Sequence, residues 1–363
     1  MTTTCKRFGT VLAVIMLIVS ASPPLRASQD DVYFHPRALL QEIAAINDVK
    51  AGHLKKELQL PAHTRGKASM EELGVNKNQV VQAVTHLRGG GTSRNLILAQ
   101  ALMAAISIAA ILLLARRKMS HSLKFILLAA VVLVVGFGLG KELNPMTALV
   151  KVFKGLYGLE GNLATRLAAL VVFSLLALIG TKAVCGWACP YGALQEFLHK
   201  LPLATKWKKR NKLPFWLTNA VRFGLFCLFL YDLSFGLTNL KAMGRVIYHY
   251  VNPFNLFEWH FITLSIGLYV GATLILSFFI YRPHCHFVCP FGLYSWLLER
   301  ISIFRIRIDR GKCTECRACI KACPGRAMKG IYESSAFPAD CFSCGECLAA
   351  CAFDALAYAR RNR

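Results

Sequence analysis

Two cysteine runs decide the fold at one end of the chain: C-T-E-C-R-A-C-I-K-A-C-P, from Cys313 to Pro324, and C-F-S-C-G-E-C-L-A-A-C, from Cys341 to Cys351. Both have the spacing C-x2-C-x2-C-x3-C. Three thiolates so spaced can surround three corners of a cubane, whereas the fourth lies on a departing helix and ligates the other cluster. The spacing therefore predicts one 4Fe–4S cluster with the ligands Cys313, Cys316, Cys319 and Cys351, and a second with the ligands Cys341, Cys344, Cys347 and Cys323.

These eight cysteines are also compatible with a disulfide scaffold or with two zinc sites. Zinc knuckles favour paired C-x2-C units separated by a longer loop, and disulfides need an oxidising compartment. The topology predicted below places the cysteines in the cytoplasm, so we favour iron–sulfur clusters. The runs resemble those of the bacterial two-cluster ferredoxins, although Ala352 stands where the second run usually carries proline.

The composition is that of a membrane protein. Of the 363 residues, 55% are hydrophobic and only 17% are charged, with a mean hydropathy of +0.45. A net charge of +24 raises the question of nucleic acid. The basic residues, however, fall in short clusters beside apolar runs, at 116–118 and 206–212, as the positive-inside rule predicts. We therefore predict anionic membrane lipids as partners and no nucleic acid.

The N-terminal part of the sequence divides into a leader and a small module. Residues 1–27 combine Lys6 and Arg7 with a short apolar stretch, which predicts a signal peptide or leader helix. Residues 28–95 predict a small helical periplasmic domain, in which Ser69 with Glu72 and Asn76 with Gln79 form capping boxes.

Five apolar segments follow, at about 96–115, 125–140, 167–184, 214–235 and 261–281. Each is near the ~20 residues that cross a bilayer core. The sequence thus predicts an α-helical membrane bundle over 96–300, with about five transmembrane helices after the leader. It predicts an α+β ferredoxin domain of the two-cluster bacterial type over 301–363. The protein is expected to be a multi-pass protein of the cytoplasmic (inner) membrane with its cluster domain in the cytoplasm.

A second cysteine pattern occurs twice, at an offset of one hundred residues: C-G-W-A-C-P-Y-G, with Cys185 and Cys189, and C-H-F-V-C-P-F-G, with Cys285 and Cys289. The repeat indicates an internal duplication. The two thiols of C-x3-C lie on one face of a helix end, and the following proline is expected to break that helix. Three interpretations stay open for the four thiols: a metal or cluster site, redox-active thiol pairs, or buried cysteines that hold the helix ends. Arg222 lies inside an apolar segment. It is either a functional residue or a residue whose long side chain reaches the membrane–water interface.

The arrangement resembles the membrane-bound polyferredoxin family of NapH and MauN and the C-terminal half of NosR. The motifs that carry the resemblance are the paired C-x3-C-P motifs followed by the two cysteine runs, over about 95–363. The family implies electron transfer between the quinone pool or a cytoplasmic donor and a periplasmic redox enzyme or cytochrome, with a quinone as a further candidate cofactor. Residues 28–95 are too short for the external flavin-binding domain of NosR.

We therefore predict an iron–sulfur electron-transfer protein. The alternatives are a factor that assembles or regulates an exported metalloenzyme, and a bare anchor for a ferredoxin module. Whether the chain is itself an enzyme, as a quinol dehydrogenase subunit without its own substrate site, stays open. Arg317 and Lys321 lie within the first cysteine run. They predict docking of an acidic flavodoxin or soluble ferredoxin, with membrane quinol as the rival donor.

Overall fold

Proline and glycine divide the chain into many short helices. The computed structural model describes residues 32–88 (except 33, 48, 50, 62, 63, 65 and 67), 92–139, 144–156, 163–201, 214–236, 248, 251–257 and 264–361. The leader predicted at 1–27 and the basic cluster at 206–212 lie outside these residues.

The α-helices, in chain order, are α1 (Leu40–Ile46), α2 (Ala51–Glu57), α3 (Lys77–Arg88), α4 (Thr92–Ala115), α5 (His121–Ala130), α6 (Pro145–Leu156), α7 (Leu163–Ile179), α8 (Pro190–Lys200), α9 (Phe215–Gly236), α10 (Leu264–Ser277), α11 (Pro283–Phe287), α12 (Pro290–Leu298), α13 (Ala318–Ala322), α14 (Ala327–Tyr332) and α15 (Glu346–Ala349). π-helices cover Val131–Gly138 and Val184–Ala188, and 3-10 turns cover Pro253–Phe257 and Glu299–Ile301. The strands are β1 (Phe304–Ile308) and β2 (Leu356–Arg360).

The chain forms two units. Unit 1 combines the described residues up to Leu98 with those in 148–170 and 227–250, and unit 2 contains 99–147, 171–226 and 251–363. Within unit 1, the N-terminal module packs α1, α2 and α3 around a buried apolar core that includes Ile43, Leu54, Met70 and Val80. This core forms because the apolar residues of the three amphipathic helices share one side.

Both capping boxes predicted for the N-terminal module are present. The backbone N–H of Ser69 donates to Glu72 Oε2 at 3.1 Å, and the N–H of Glu72 donates to Ser69 Oγ at 3.2 Å. Asn76 and Gln79 exchange the same pair of bonds at 2.9 and 3.0 Å. The second box satisfies two backbone N–H groups at the start of α3, whereas the first closes a turn over residues 69–74.

The prediction of a membrane bundle with about five spanning helices is wrong for the described part of the chain. No helix there combines the length and the apolar character that crossing a bilayer requires. The described parts of helices α5, α7 and α10 cover 10, 17 and 14 residues, fewer than the ~20 needed. The prediction treated apolar runs as continuous helices, whereas the second run changes to a π-helix at Val131. The multi-pass topology derived from these runs is therefore not supported by the described helices.

The C-terminal part of unit 2 has the predicted α+β character. Strands β1 and β2 pair antiparallel, with Ile306 opposite Tyr358 and Ile308 opposite Leu356. Leu356 and Tyr358 are both buried, as expected for alternate residues of a strand with one covered face. The pairing joins the chain before the first cysteine run to the chain after the second. The cysteine runs are thereby closed into one module.

The duplicated motifs share three backbone features. Lys182 and Arg282, each three residues before the first cysteine of its motif, adopt left-handed conformations with φ of 57° and 47°. Cys189 and Cys289 then have extended ψ values of 115°, and Pro190 and Pro290 begin α8 and α12. Proline at a first helical position needs no N–H donor. The proline was expected to break a helix, and in both motifs it starts the next one.

Candidate functional site

A cavity in the C-terminal part of unit 2 brings together four cysteines from both runs. Cys323 of the first run and Cys341, Cys344 and Cys347 of the second line one cavity. We call this set the inner site. Cys323 and Cys347 are buried, whereas Cys341 and Cys344 are half-buried. Cys323 therefore lies at the same cavity as the three cysteines with which the spacing predicts that it shares a cluster.

The surroundings of the inner site suit thiolate ligands. The backbone N–H of Met328 donates to Cys323 Sγ at 3.5 Å, and such bonds to sulfur stabilise negative charge. Burial raises the pKa of the Cys344 thiol to about 11, and the Lys124 ammonium opposes that shift. Because buried thiolates need compensating charge, four convergent thiols beside a cation fit an iron–sulfur cluster.

The other four cysteines, the outer site, lie at the ends of two packed helices. Cys313 and Cys316 precede α13, Cys319 lies in it, and Cys351 follows α15, which packs against α13. Cys316 is exposed, Cys319 is buried and the other two are half-buried. The backbone N–H of Ala318 donates to Cys316 and lowers the pKa of its thiol. The outer site therefore has a solvent-facing side.

The thiols of the paired C-x3-C-P motifs also converge, and we call Cys185, Cys189, Cys285 and Cys289 the paired-motif site. Burial and the nearby Cys285 together raise the pKa of the Cys185 thiol to about 12, against the lowering effect of Lys182. The pKa of Cys289 is raised by burial and then by the other three thiols. Among the described residues, no group of three or more Cys, His, Asp or Glu side chains is arranged to hold a metal ion.

Cations of each repeat contact the motif of the other. Arg282, which precedes the second motif, donates to the carbonyl oxygens of Cys185 and Gly186, the latter at 2.8 Å. Lys182, which precedes the first motif, donates to the carbonyl of Gly292 at 2.8 Å. Arg222 completes the set by donating to the carbonyl of Cys285 at 3.1 Å. The paired-motif site is therefore surrounded by buried positive charge, which opposes part of the rise in thiol pKa that burial causes.

Glycine after each proline makes room for these cations. A Cβ added at Gly192 would lie 2.9 Å from Arg282 Nη1 and 2.9 Å from the Cys185 carbonyl oxygen. One added at Gly292 would lie 2.7 Å from the Cys285 carbonyl oxygen and 3.0 Å from Arg222 Nη1. Real Cβ atoms are not found so close to backbone oxygen, so the glycines of C-P-aromatic-G permit the guanidinium contacts.

Two buried carboxylates neutralise part of this charge. Asp340 pairs with Lys182, with Arg222 at 3.1 Å and with His286 at 3.4 Å. Burial by itself would raise the pKa of Asp340, but Arg222 and Lys182 hold it below its usual range.

Glu196 is the second buried carboxylate. It pairs with Arg282 at 2.5 Å and with Lys124 at 2.6 Å. Burial opposes ionisation here as well, and the two cations nevertheless keep the pKa of Glu196 low. Both carboxylates are therefore ionised at neutral pH, and each holds two cations in place.

The sequence analysis missed most of this charge network. It named Arg222, which the structure places beside Asp340 rather than at an interface. Lys182 and Arg282 were overlooked although both stand three residues before the first cysteine of their motif. That equivalence in a duplicated pattern was the available signal. The sequence contains no such signal for Asp340 and Glu196, because their partners are distant in sequence.

Comparison with known proteins agrees with these sites. The family model for a 4Fe-4S binding domain matches residues 162–210 and again 262–310, and the model for a 4Fe-4S dicluster domain matches 305–352. The first model covers the two C-x3-C-P motifs and the second covers both cysteine runs. No solved structure significantly matches the chain.

Curated relatives are similar at modest identity. An uncharacterised protein of Methanocaldococcus jannaschii is 27% identical over 67% of this chain and 85% of its own length. YccM of Escherichia coli, which is named for electron transport, is 28% identical over 52% of this chain and 54% of its own length. The ferredoxin-type protein NapH of Haemophilus influenzae is 26% identical over 52% and 66%, respectively. The chain thus spans about half to two thirds of the YccM and NapH relatives.

The cysteine geometry, the matched domains and these relatives together define an iron–sulfur electron-transfer protein. The chain is similar, over about half of its length, to ferredoxin-type proteins named NapH and MauN.

Proposed function

We propose that the chain is a one-electron relay that holds two 4Fe–4S clusters in its C-terminal module, one at the inner site and one at the outer site. The observation that carries the proposal is the cavity in which Cys323 joins Cys341, Cys344 and Cys347. A cysteine from one run among three from the other is the ligand exchange of two-cluster ferredoxins. When bound, the clusters supply reversible one-electron chemistry, and the protein supplies position, burial and charge.

The paired-motif site is proposed as a third cluster site. Its support is the convergence of four buried or half-buried thiols, the cations Lys182, Arg222 and Arg282 around them, and the 4Fe-4S binding model that matches both motifs. Cysteines that only hold helix ends need no such positive surroundings. The cations instead offset the negative charge that several buried thiolates bring.

The electron partner on the outer side is proposed to be a small acidic carrier. Cys316 is exposed, and Arg317 and Lys321 beside it are exposed as well. A basic surface next to an accessible cluster ligand attracts an acidic donor and orients it. Quinol is the alternative donor, and delivery from quinol has no reason to depend on these two side chains.

Metal analysis of the anaerobically purified full chain tests the proposal. Three clusters correspond to about 12 irons and two to about 8. In Cys323→Ser we expect loss of the inner cluster, seen as loss of its electron paramagnetic resonance (EPR) signal after reduction, with the outer signal retained. Cys227→Ser is the matched control, because Cys227 is exposed in α9 outside all three sites. Loss confined to the outer cluster in Cys323→Ser refutes the ligand exchange.

A further inference from the structure

A loop of the inner site is buried among residues of both C-x3-C-P motifs. Phe342, between the ligands Cys341 and Cys344, is only 3% exposed. Its ring centroid lies 5.0 Å from Arg282 Cζ, 5.3 Å from Lys182 Nζ and 5.3 Å from the ring of His286. Cations above an aromatic face attract it. Lys182 belongs to the first repeat, whereas Arg282 and His286 belong to the second, so Phe342 lies between the repeats.

The backbone of the same loop is bound to the first motif. The indole N–H of Trp187 donates to the carbonyl of Ser343 at 3.0 Å, and Lys124 Nζ donates to the carbonyl of Cys344 at 2.6 Å. A Cβ on Gly186 would overlap the carbonyl oxygen of Phe342. The segment between Cys185 and Cys189 is thus in van der Waals contact with the segment between Cys341 and Cys344.

Asp340 extends the connection to the second motif. Its carboxylate binds Lys182 of the first repeat, His286 of the second, and Arg222, which also donates to the Cys285 carbonyl. Residues 340–343 therefore contact residues of both repeats and include Cys341, a proposed ligand of the inner site. The outer site, by contrast, has the exposed Cys316.

We propose that the inner and paired-motif sites act as one coupled redox pair, with residues 340–343 as the coupling element and Phe342 and Asp340 as positioning residues. This inference rests on the proposed function, because it assumes that both sites are loaded. One electron leaves the reduced group at one site and enters the oxidised group at the other, and no bond or proton changes. The reductant is the acidic carrier at the outer site, so the electron order is outer, inner, then paired-motif.

The test compares EPR spectra of the dithionite-reduced full chain with and without the paired-motif group. Two reduced clusters in contact broaden each other's signals and relax faster than isolated ones. In the double variant Cys185→Ser, Cys285→Ser we expect four fewer irons, about 8 instead of 12. We also expect loss of the broadening in the inner signal and no change in the outer signal.

A second variant addresses the loop alone. Gly186→Ala forces the Phe342 carbonyl to move, and we expect the full iron content with reduced spin coupling. Gly224→Ala is its control, since an added Cβ there meets nothing within 4 Å. If Gly186→Ala does not fold, Trp187→Phe removes only the indole bond to Ser343 and is expected to weaken the coupling in the same direction.

The outcomes separate the two proposals. An iron content of about 8 in the unmodified chain overturns the third cluster of the proposed function, and the coupled pair with it. About 12 irons with an inner signal that is unchanged in the double variant and in Gly186→Ala overturns the coupled pair alone.

Discussion

Replacing Asp340 by asparagine removes one buried negative charge while keeping the size of the side chain. The carboxylate lies 3.1 Å from Arg222 Nη1 and also pairs with Lys182. At an effective dielectric constant of about 20, each such pair corresponds to about 5 kcal/mol of Coulomb attraction. Desolvation of the charges offsets much of this. The net cost of leaving two buried cations without their carboxylate is therefore about 3–5 kcal/mol.

That cost is large beside a typical stability of about 5–15 kcal/mol. Urea unfolding of the anaerobic protein, followed by tryptophan fluorescence and by the visible absorbance of the clusters, measures it. Glu333→Gln is the control, because Glu333 and Lys329 form an exposed pair at 3.9 Å, for which about 0–1 kcal/mol is expected. A loss in Asp340→Asn no greater than in Glu333→Gln refutes the reasoning.

Three further outcomes are expected. Lys124 and Arg282 hold the pKa of Glu196 below the unfolded value of about 4.3. The stabilisation that the Glu196 carboxylate provides is therefore complete above about pH 5 and is lost as the pH falls. The destabilisation caused by Glu196→Gln, measured by urea unfolding, should accordingly shrink towards about pH 4. In the iron-free protein, iodoacetamide should modify the exposed Cys316 before the buried Cys185, whose pKa is about 12; mass spectrometry of peptides reports the order, and equal rates contradict the assigned burial. Reduction by a reduced flavodoxin in stopped flow should slow as salt rises, and should slow at low salt in Arg317→Glu with Lys321→Glu; a rate indifferent to both changes leaves quinol as the donor.

The sequence predicts an exchange of cysteines between the two runs because the expected exchange depends on local geometry. Three thiols in C-x2-C-x2-C lie on one loop, and the fourth is carried away by the helix that follows. Cys323 accordingly lines the inner cavity with the cysteines of the second run. The capping boxes were predictable for the same reason, since each involves residues three positions apart.

The charge network could not be predicted, because its partners are far apart in the sequence. Lys182 and Asp340 are separated by 158 residues, and no local pattern relates them. The prediction of a membrane bundle was wrong for another reason. Apolar composition measures how readily a segment leaves water, but it does not say where a helix ends. In α10 the helix ends at Ser277, although apolar residues continue to Ile280.

The distance between Lys182 and Asp340 also has a consequence for biosynthesis. The ribosome adds Lys182 and Arg222 long before it adds Asp340, whose carboxylate neutralises them. Asp340 follows Lys182 by 158 residues. Until then, burying either cation is costly, so this part of the chain stays open. A product truncated before Asp340 therefore keeps its C-x3-C-P segments accessible to proteases.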